Sequence, residues 1–322
     1  MEKRILLTVN YKEKPLEIVH SFVPKGFTLA TMETTSHDEL VERAACADYI
    51  LASGNLKIDR DVISSAKKLK MVQRLGVGLD SLDLECLRKN AIPVYVNKGV
   101  NAGSVAEHAI MFMLASLRRL PIINANTKNG IWKKQEQGVT TRELSTQTVG
   151  IIGAGSIGKR VAAILKGFGC KVLYFDVFRL AKEEEEKLGI EYRTLDELFC
   201  EADLVSLHCP LTADTQGIIN KASLNKMKNG MILVNTSRGG LIDESALVDA
   251  LNDGRVGMAA LDVFQEEPVK NTNLISHENV ICTPHIAGNS SDAFSKMMSN
   301  AFENIKSFDQ GLLPEIEEFL IK

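Results

Sequence analysis

The chain has 322 residues, about two domains' worth at ~100–200 residues each. Apolar residues make up 45% and charged residues 25%, and 38 Lys+Arg against 41 Asp+Glu leave a net charge of −3. These values exclude a disordered chain, a collagen-like repeat and a disulfide scaffold, and they lack the basic footprint of a protein that holds nucleic acid.

The first ten residues carry too short an apolar run for a signal peptide and predict an opening strand over residues 4–9. Further strand-like runs follow at 48–52, 71–75 and 93–96, with helical segments between them. The helix predicted over 37–45 opens on Asp38 and Glu39, at its positive end. Residues 101–120 carry apolar side chains at helical spacing and predict one long helix, a crossover between two strand series. Trp132, the only tryptophan, falls in the loop after it, where packing is its expected role. The second series predicts strands at 148–152, 172–175, 204–208, 231–235, 257–261 and 279–283, separated by helices such as 157–168, 223–228 and 244–252. Short Val/Ile/Leu-rich runs of this kind suit strands covered on both faces, so the expected fold class is α/β with doubly wound parallel sheets. The glutamate run 183–186 reads as a solvated helix face, and 290–308 as a second long helix returning the chain to the first domain. No apolar stretch approaches the ~18–20 residues of a membrane span; the longest resemble residues 110–115. The six cysteines include no C-x-x-C and no zinc-ligand spacing. They read as small buried hydrophobes in a reducing cytoplasm, with no metal site.

The strand at 148–152 runs into G-x-G-x-x-G at Gly153, Gly155 and Gly158, and then into a helix beginning with Ser156 and Ile157. Gly153 allows the tight turn, Gly155 lets the backbone approach a pyrophosphate, and Gly158 lets helix and strand pack closely. The helix N-terminus offers free N–H groups and partial positive charge to that anion. An acidic residue, Asp176, ends the next strand 18 positions after Gly158, near the expected spacing. A carboxylate there accepts hydrogen bonds from ribose hydroxyls and repels a 2′-phosphate, so NAD is expected over NADP, a preference that Arg179 three positions later would soften.

Three polar residues follow strands of the second series: Arg238, Glu267 and His285. Ligands of open α/β sheets bind beyond the carboxyl ends of the strands. Hydride transfer between an alcohol and nicotinamide needs a group that takes or returns the hydroxyl proton, a role that suits histidine. A carboxylate beside the ring stabilises the imidazolium and fixes its orientation. A guanidinium holds a carboxylate through two hydrogen bonds. Arg238, Glu267 and His285 therefore form a coherent catalytic set for a 2-hydroxy or 2-oxo acid.

With these residues in view, the chain to about residue 310 resembles the D-isomer-specific 2-hydroxyacid dehydrogenase family, its phosphoglycerate dehydrogenase-like branch above all. The matching blocks are Arg74 to Asp80, Asn101 to His108, Gly153 to Gly158, His208 to Thr212, Asn235 to Gly240, Leu261 to Phe264, Glu267 with Pro268, and Thr283 to His285. The resemblance implies an NAD-binding Rossmann domain, residues 99–289 with the crossover helix, set into a flavodoxin-like substrate domain made of 1–98 and 290–322. It implies that Arg238 binds substrate, that Glu267 and His285 are the acid–base pair, and that Asp262 grips the nicotinamide carboxamide. Val77 and Gly78 would offer backbone N–H groups to the substrate carboxylate, with Ser53 and Arg74 beside them. His208, Cys209, Pro210, Thr215, Thr236 and Gly288 would border the cofactor. Asn101, Ser104 and Glu107 would open the crossover helix beside the cleft. A homodimer built through the nucleotide domains and the crossover region is also implied.

Two departures stand out. Many members carry an Asn-x-Pro segment before the crossover helix, whereas this chain reads Asn97, Lys98, Gly99 in a shorter loop. The chain ends at Lys322, so an additional regulatory domain with serine feedback is not expected. The alternatives are an NAD(H)-sensing corepressor or scaffold on the same fold, and phosphite dehydrogenase. Formate enzymes replace the paired glutamate by glutamine, and this chain has Glu267.

Overall fold

The computed structural model describes residues 2–53, 56–270 and 272–312. The chain divides into two compact units, one formed by residues up to Asn101 together with those from Ser291, the other by Ala102–Ser290.

The first unit holds β1 (Lys3–Leu7), α1 (Glu13–Ser21), β2 (Phe27–Thr31), α2 (His37–Ala44), β3 (Tyr49–Ala52), α3 (Arg60–Ser65), β4 (Met71–Arg74), α4 (Leu84–Lys89) and β5 (Val94–Tyr95). Its strands pair in parallel in the order β2-β1-β3-β4-β5, the flavodoxin-like arrangement. Side chains alternate across the sheet with period two. Ile5, Leu7, Tyr49, Leu51 and Met71 face one core, while Leu6, Ile50, Ala52 and Val72 face the other. The last helix among the described residues (Ser291–Asp309) covers the first of these faces with Met298, Ala301, Phe302 and Ile305. Amides on the buried Asn97 and Gln73 and the half-buried Asn300 and Asn304 tie that helix to the strand ends. Asn97 Nδ2 donates to Met297 O at 2.9 Å, Asn300 Nδ2 donates to Asn97 Oδ1 at 2.8 Å, and Asn304 Nδ2 donates to Gln73 Oε1 at 3.1 Å.

The second unit opens with α5 (Ala102–Leu117), α6 (Leu120–Lys128) and α7 (Lys134–Gly138). The helix expected to run unbroken over 101–120 in fact stops at Leu117. Arg119 sits at φ +47°, and Pro121 in the first turn of α6 has no N–H to continue the preceding helix. Next come β6 (Thr148–Ile152), α8 (Ser156–Phe168), β7 (Lys171–Phe175), α9 (Lys182–Leu188), β8 (Glu191–Tyr192), α10 (Leu195–Glu201) and β9 (Leu204–Leu207). The unit finishes with α11 (Lys221–Leu224), β10 (Met231–Asn235), α12 (Glu244–Asn252), β11 (Val256–Leu261), α13 (Thr272–Ile275) and β12 (Val280–Cys282); the long closing helix of the first unit is α14. The sheet order β12-β11-β10-β9-β6-β7-β8 is all parallel and reverses between β6 and β9, as in a dinucleotide-binding fold.

Two strands fall outside the sequence expectation, and both lie at sheet edges. β2 is only partly buried, and β8 is two residues long with an exposed Glu191; such edges carry weak hydrophobic patterns. Three further expectations are corrected. Glu185 is buried within the acidic run, accepting hydrogen bonds from Tyr174 Oη at 2.7 Å and from Arg179 Nε at 2.9 Å. Trp132 is 80% exposed, because α6 and α7 bury no residue against the core. All six cysteines are free thiols, yet only Cys86 and Cys209 are buried; Cys46, Cys200 and Cys282 are exposed, as a small thiol tolerates.

Phe302 is 1% exposed and fills the interface between α14 and the five-stranded sheet. Phe302→Ala should destabilise the first unit by ~3–5 kcal/mol through lost transfer energy and the cavity left behind. Urea unfolding followed by circular dichroism measures the shift.

Candidate active site

Every parallel strand of the second unit delivers its carboxyl end to the same edge of the sheet, so the residues that follow the strands line up in sheet order. Along that edge stand His285 after β12, Asp262 and Glu267 after β11, Thr236 and Arg238 after β10, His208 after β9, the glycine loop after β6 and Asp176 after β7.

The glycine loop is shaped by contacts that only glycine permits. A Cβ on Gly153, at φ +98°, would lie 2.5 Å from Cys209 N; one on Gly158 would lie 2.0 Å from Gly153 O. Over Gly155 a Cβ would meet nothing within 4 Å. Gly155 is the N-cap of α8 and gives its first turn, Ser156 and Ile157, no side-chain cap, unlike Asp59, Asp83, Asn220 and Asp243 on other helices. The backbone N–H groups of a 13-residue helix are thus presented where an anionic group has room. Asp176 closes the loop from the next strand: Oδ2 accepts from Ala154 N at 2.7 Å and Oδ1 from Phe178 N at 3.0 Å. Arg179 does not stand free beside it. Its guanidinium forks onto Glu185 at 2.9 and 3.1 Å and stacks on Tyr192.

After β9, His208 Nε2 pairs with Ser206 Oγ at 2.9 Å, while Nδ1 is buried without a protein partner. Burial pushes the imidazole pKa down to about 4 and the Cys209 thiol up to about 11, so both are neutral near pH 7. Thr215 shapes the loop beyond them by donating to Pro210 O at 2.7 Å and accepting from Thr212 N at 2.8 Å. On the neighbouring strand Thr236 Oγ1 is also buried with no protein partner. Two orphaned polar atoms at adjacent strand ends, an uncapped helix N-terminus and a carboxylate beyond it fit a dinucleotide.

Arg238 is held by its own loop. Asn235 Nδ2 donates to its carbonyl at 2.9 Å, Ser237 N donates to Asn235 Oδ1 at 2.9 Å, and Ser237 Oγ donates to Cys209 O at 2.5 Å. Its Nη1 donates to Ser237 O at 2.7 Å. The next residue, Gly239, lies against the backbone of Phe264, where a Cβ would come within 1.9 Å of the carbonyl carbon. No side chain fits there, so the arginine loop and the Glu267 loop pack directly on each other. Phe264 N donates to Glu267 Oε1 at 3.1 Å, and Gln265 N donates to the buried Glu244 Oε1 at 2.7 Å. Thus anchored, Glu267 Oε2 lies 2.7 Å from His285 Nδ1. A carboxylate accepts only, so Nδ1 carries the proton and Nε2 is the nitrogen left to gain or lose one.

Asp262 occupies the centre of the histidine turn. Its Oδ1 accepts from Thr283 Oγ1 at 2.5 Å and Ile286 N at 2.9 Å, and its Oδ2 from Ala287 N at 2.8 Å, just before Gly288. The carboxylate thus already holds three protein hydrogens, whatever further contact it makes. Ser104 and His108, one turn apart on α5, reach the same turn: Ser104 Oγ donates to Ala287 O at 2.8 Å, and His108 Nε2 lies 3.1 Å from Thr283 Oγ1. Sequence reasoning gave neither His108 nor Thr283 a role of its own; their i, i+4 and strand-end placements were the only signals.

The remaining expected residues belong to the first unit. Ser53 follows β3, its N–H donating to Thr8 Oγ1 and its carbonyl accepting from the same hydroxyl, both at 2.9 Å. Arg74 ends β4, and its Nε donates to Gly78 O at 2.8 Å, folding the loop that exposes Val77. Lys98 is exposed. Among the described residues no group of three or more His, Cys, Asp or Glu is arranged to hold a metal ion, and no helix is long and apolar enough to cross a membrane.

Residues 110–287 match the D-isomer specific 2-hydroxyacid dehydrogenase family, NAD binding domain. D-3-phosphoglycerate dehydrogenase of Archaeoglobus fulgidus is 37% identical over 301 residues, 91% of this chain and 56% of that protein. Hydroxypyruvate reductase of Thermotoga maritima is 39% identical over 278 residues, 85% of this chain and 89% of that protein. The chain thus spans about half the length of the phosphoglycerate dehydrogenases it matches. Among solved structures, D-lactate dehydrogenase from Aquifex aeolicus, complexed with NAD and lactic acid, superposes with a TM-score of 0.84 at 28% identity over 99% of both chains.

The half-buried His208, with its Nδ1 shut away from solvent, makes stability acid-sensitive. Unfolded, its imidazole takes up a proton below about pH 6.5; folded, only near pH 4. Its contribution is complete above pH 6.5 and is lost as pH falls through that window, by up to ~3 kcal/mol. In His208→Gln the fall in Tm between pH 7 and 4, followed by calorimetry, should be shallower than in the wild type.

Proposed function

The chain belongs to the D-isomer specific 2-hydroxyacid dehydrogenase family, and on that ground we propose that it is an NAD-dependent dehydrogenase interconverting a D-2-hydroxy acid and its 2-oxo acid. The observation that carries the reading is the His285–Glu267 hydrogen bond, set at one end of a row of strand ends whose other end is the glycine loop and Asp176. The relatives' names, a phosphoglycerate dehydrogenase, a hydroxypyruvate reductase and a glyoxylate reductase, support an enzyme over a corepressor or scaffold. They point to small, highly oxygenated acids as substrates.

When bound, NAD supplies the hydride acceptor or donor. We assign its pyrophosphate to the N–H groups around Gly155, Ser156, Ile157 and Gly158, its ribose hydroxyls to Asp176, and its borders to His208, Cys209, Pro210, Thr215, Thr236, Asp262 and Gly288. The Arg179 guanidinium is already engaged with Glu185, which supports NAD over NADP. Arg238 binds the substrate carboxylate and polarises the adjacent carbonyl. In reduction, His285 Nε2–H gives its proton to the carbonyl oxygen; in oxidation, neutral Nε2 takes the hydroxyl proton. Glu267 holds the ring through Nδ1 and so leaves Nε2 as the nitrogen that exchanges the proton. From the first unit, Ser53, Arg74, Val77 and Gly78 are assigned to the substrate, and that unit as a whole to substrate binding.

We also infer a homodimer in the cytoplasm. Leu120, Ile131, Trp132 and Val139 are exposed along α6, α7 and the loop between them, an apolar surface that association would cover. Six free thiols suit a reducing compartment.

Absorbance at 340 nm should report NADH oxidation with at least one of pyruvate, glyoxylate, hydroxypyruvate and 3-phosphohydroxypyruvate, and slower oxidation of NADPH. His285→Asn should lower kcat by ~10²–10⁴-fold with NADH binding nearly unchanged. Full turnover in that variant would overturn the assignment.

A further inference from the structure

His285 occupies the left-handed region at φ +55°, a conformation that a residue with a Cβ keeps only when its surroundings enforce it. The enforcing contacts are traceable. Its own N–H donates to Asp262 O at 2.8 Å and Thr283 O at 3.1 Å, and the next two N–H groups, of Ile286 and Ala287, donate to the Asp262 carboxylate. The Thr283 hydroxyl has a single proton. At 2.5 Å from Asp262 Oδ1, an acceptor, that proton goes to the carboxylate. The 3.1 Å contact with His108 Nε2 must then run the other way, with Nε2–H donating to Thr283 Oγ1. His108 is held by edge-on packing against Phe112, ring centroids 4.5 Å apart, and burial lowers its pKa, so it stays a neutral imidazole with its proton on Nε2. Four residues earlier on the same face of α5, Ser104 Oγ donates to Ala287 O.

We infer that His108 is a positioning residue: through the relay His108–Thr283–Asp262, and with Ser104 gripping the far side, α5 holds His285 in the strained turn that aims its ring at Glu267. Neither His108 nor Thr283 needs to touch a reacting molecule for this. An unsupported turn would relax toward ordinary backbone angles and carry the imidazole away from its carboxylate. The inference rests on His285 being the acid–base group.

The test is steady-state kinetics with NADH and whichever of the four acids above the wild type reduces fastest. His108→Leu should lower kcat roughly 10- to 100-fold, the scale of a 1 Å misplacement of a reacting group. The KM for the acid and the NADH dissociation constant, read from nucleotide fluorescence, should stay within about twofold, well under the 1.4 kcal/mol of a tenfold change. His108→Gln, which keeps a donor near the Nε2 position, should recover most of the loss, and Thr283→Ser should outperform Thr283→Val. A kcat unchanged in His108→Leu, or one that falls only together with NADH affinity and is not recovered by His108→Gln, overturns the inference. If instead His285→Asn leaves turnover intact, the acid–base reading itself falls. The two failures are therefore separable.

Discussion

A 2.7 Å hydrogen bond between Glu267 and the Nδ1 of His285 determines what the imidazole can do, and much of the surrounding structure serves to make it. An isolated histidine ring has two exchangeable nitrogens; one committed to a carboxylate has a single nitrogen for proton transfer. That commitment needs two loops brought to one place at fixed angles. The glutamate loop is pinned by Phe264 N on its own carboxylate, by Gln265 on the buried Glu244, and by its packing on Gly239. The histidine turn is pinned around the Asp262 carboxylate.

The parallel sheet explains why these loops meet at all. Strands β10, β11 and β12 are consecutive neighbours, so their carboxyl ends deliver Arg238, Glu267 and His285 in adjacent positions without any contact between them in sequence. The same edge carries the glycine loop and Asp176 on the other side of the point where strand order reverses. Helix α5 enters as a buttress, its Ser104 and His108 both spent on the histidine turn. Rigid elements carry the loops, and hydrogen bonds inside the loops set the final angles.

Much of this was legible in the residues. The central strands, the glycine loop with its acidic partner, and the triad after β10, β11 and β12 leave strong local signatures: continuous apolar runs, spaced glycines and polar residues just past them. Edge strands β2 and β8 did not, because half-exposed and two-residue strands lack a hydrophobic pattern. The break at Arg119 was obscured by apolar spacing that continues up to the proline responsible for it. Glu185 read as solvated because its partners, Tyr174 and Arg179, become neighbours only once β7 and α9 fold together. The role of Asp262 as the hub of the histidine turn was equally hidden, since it depends on backbone N–H groups 24 and 25 residues away.

The central claim concerns the location of one proton. In solution a neutral histidine favours the tautomer protonated on Nε2; here Glu267 must hold it on Nδ1. Long-range 1H–15N correlation spectra of the histidine-labelled protein above the pH at which the imidazolium deprotonates, with His285 assigned by substitution, read the tautomer directly. The account predicts a protonated Nδ1 and a proton-free Nε2 at His285, reverting in Glu267→Ala. A neutral ring protonated on Nε2 in the wild type would contradict it.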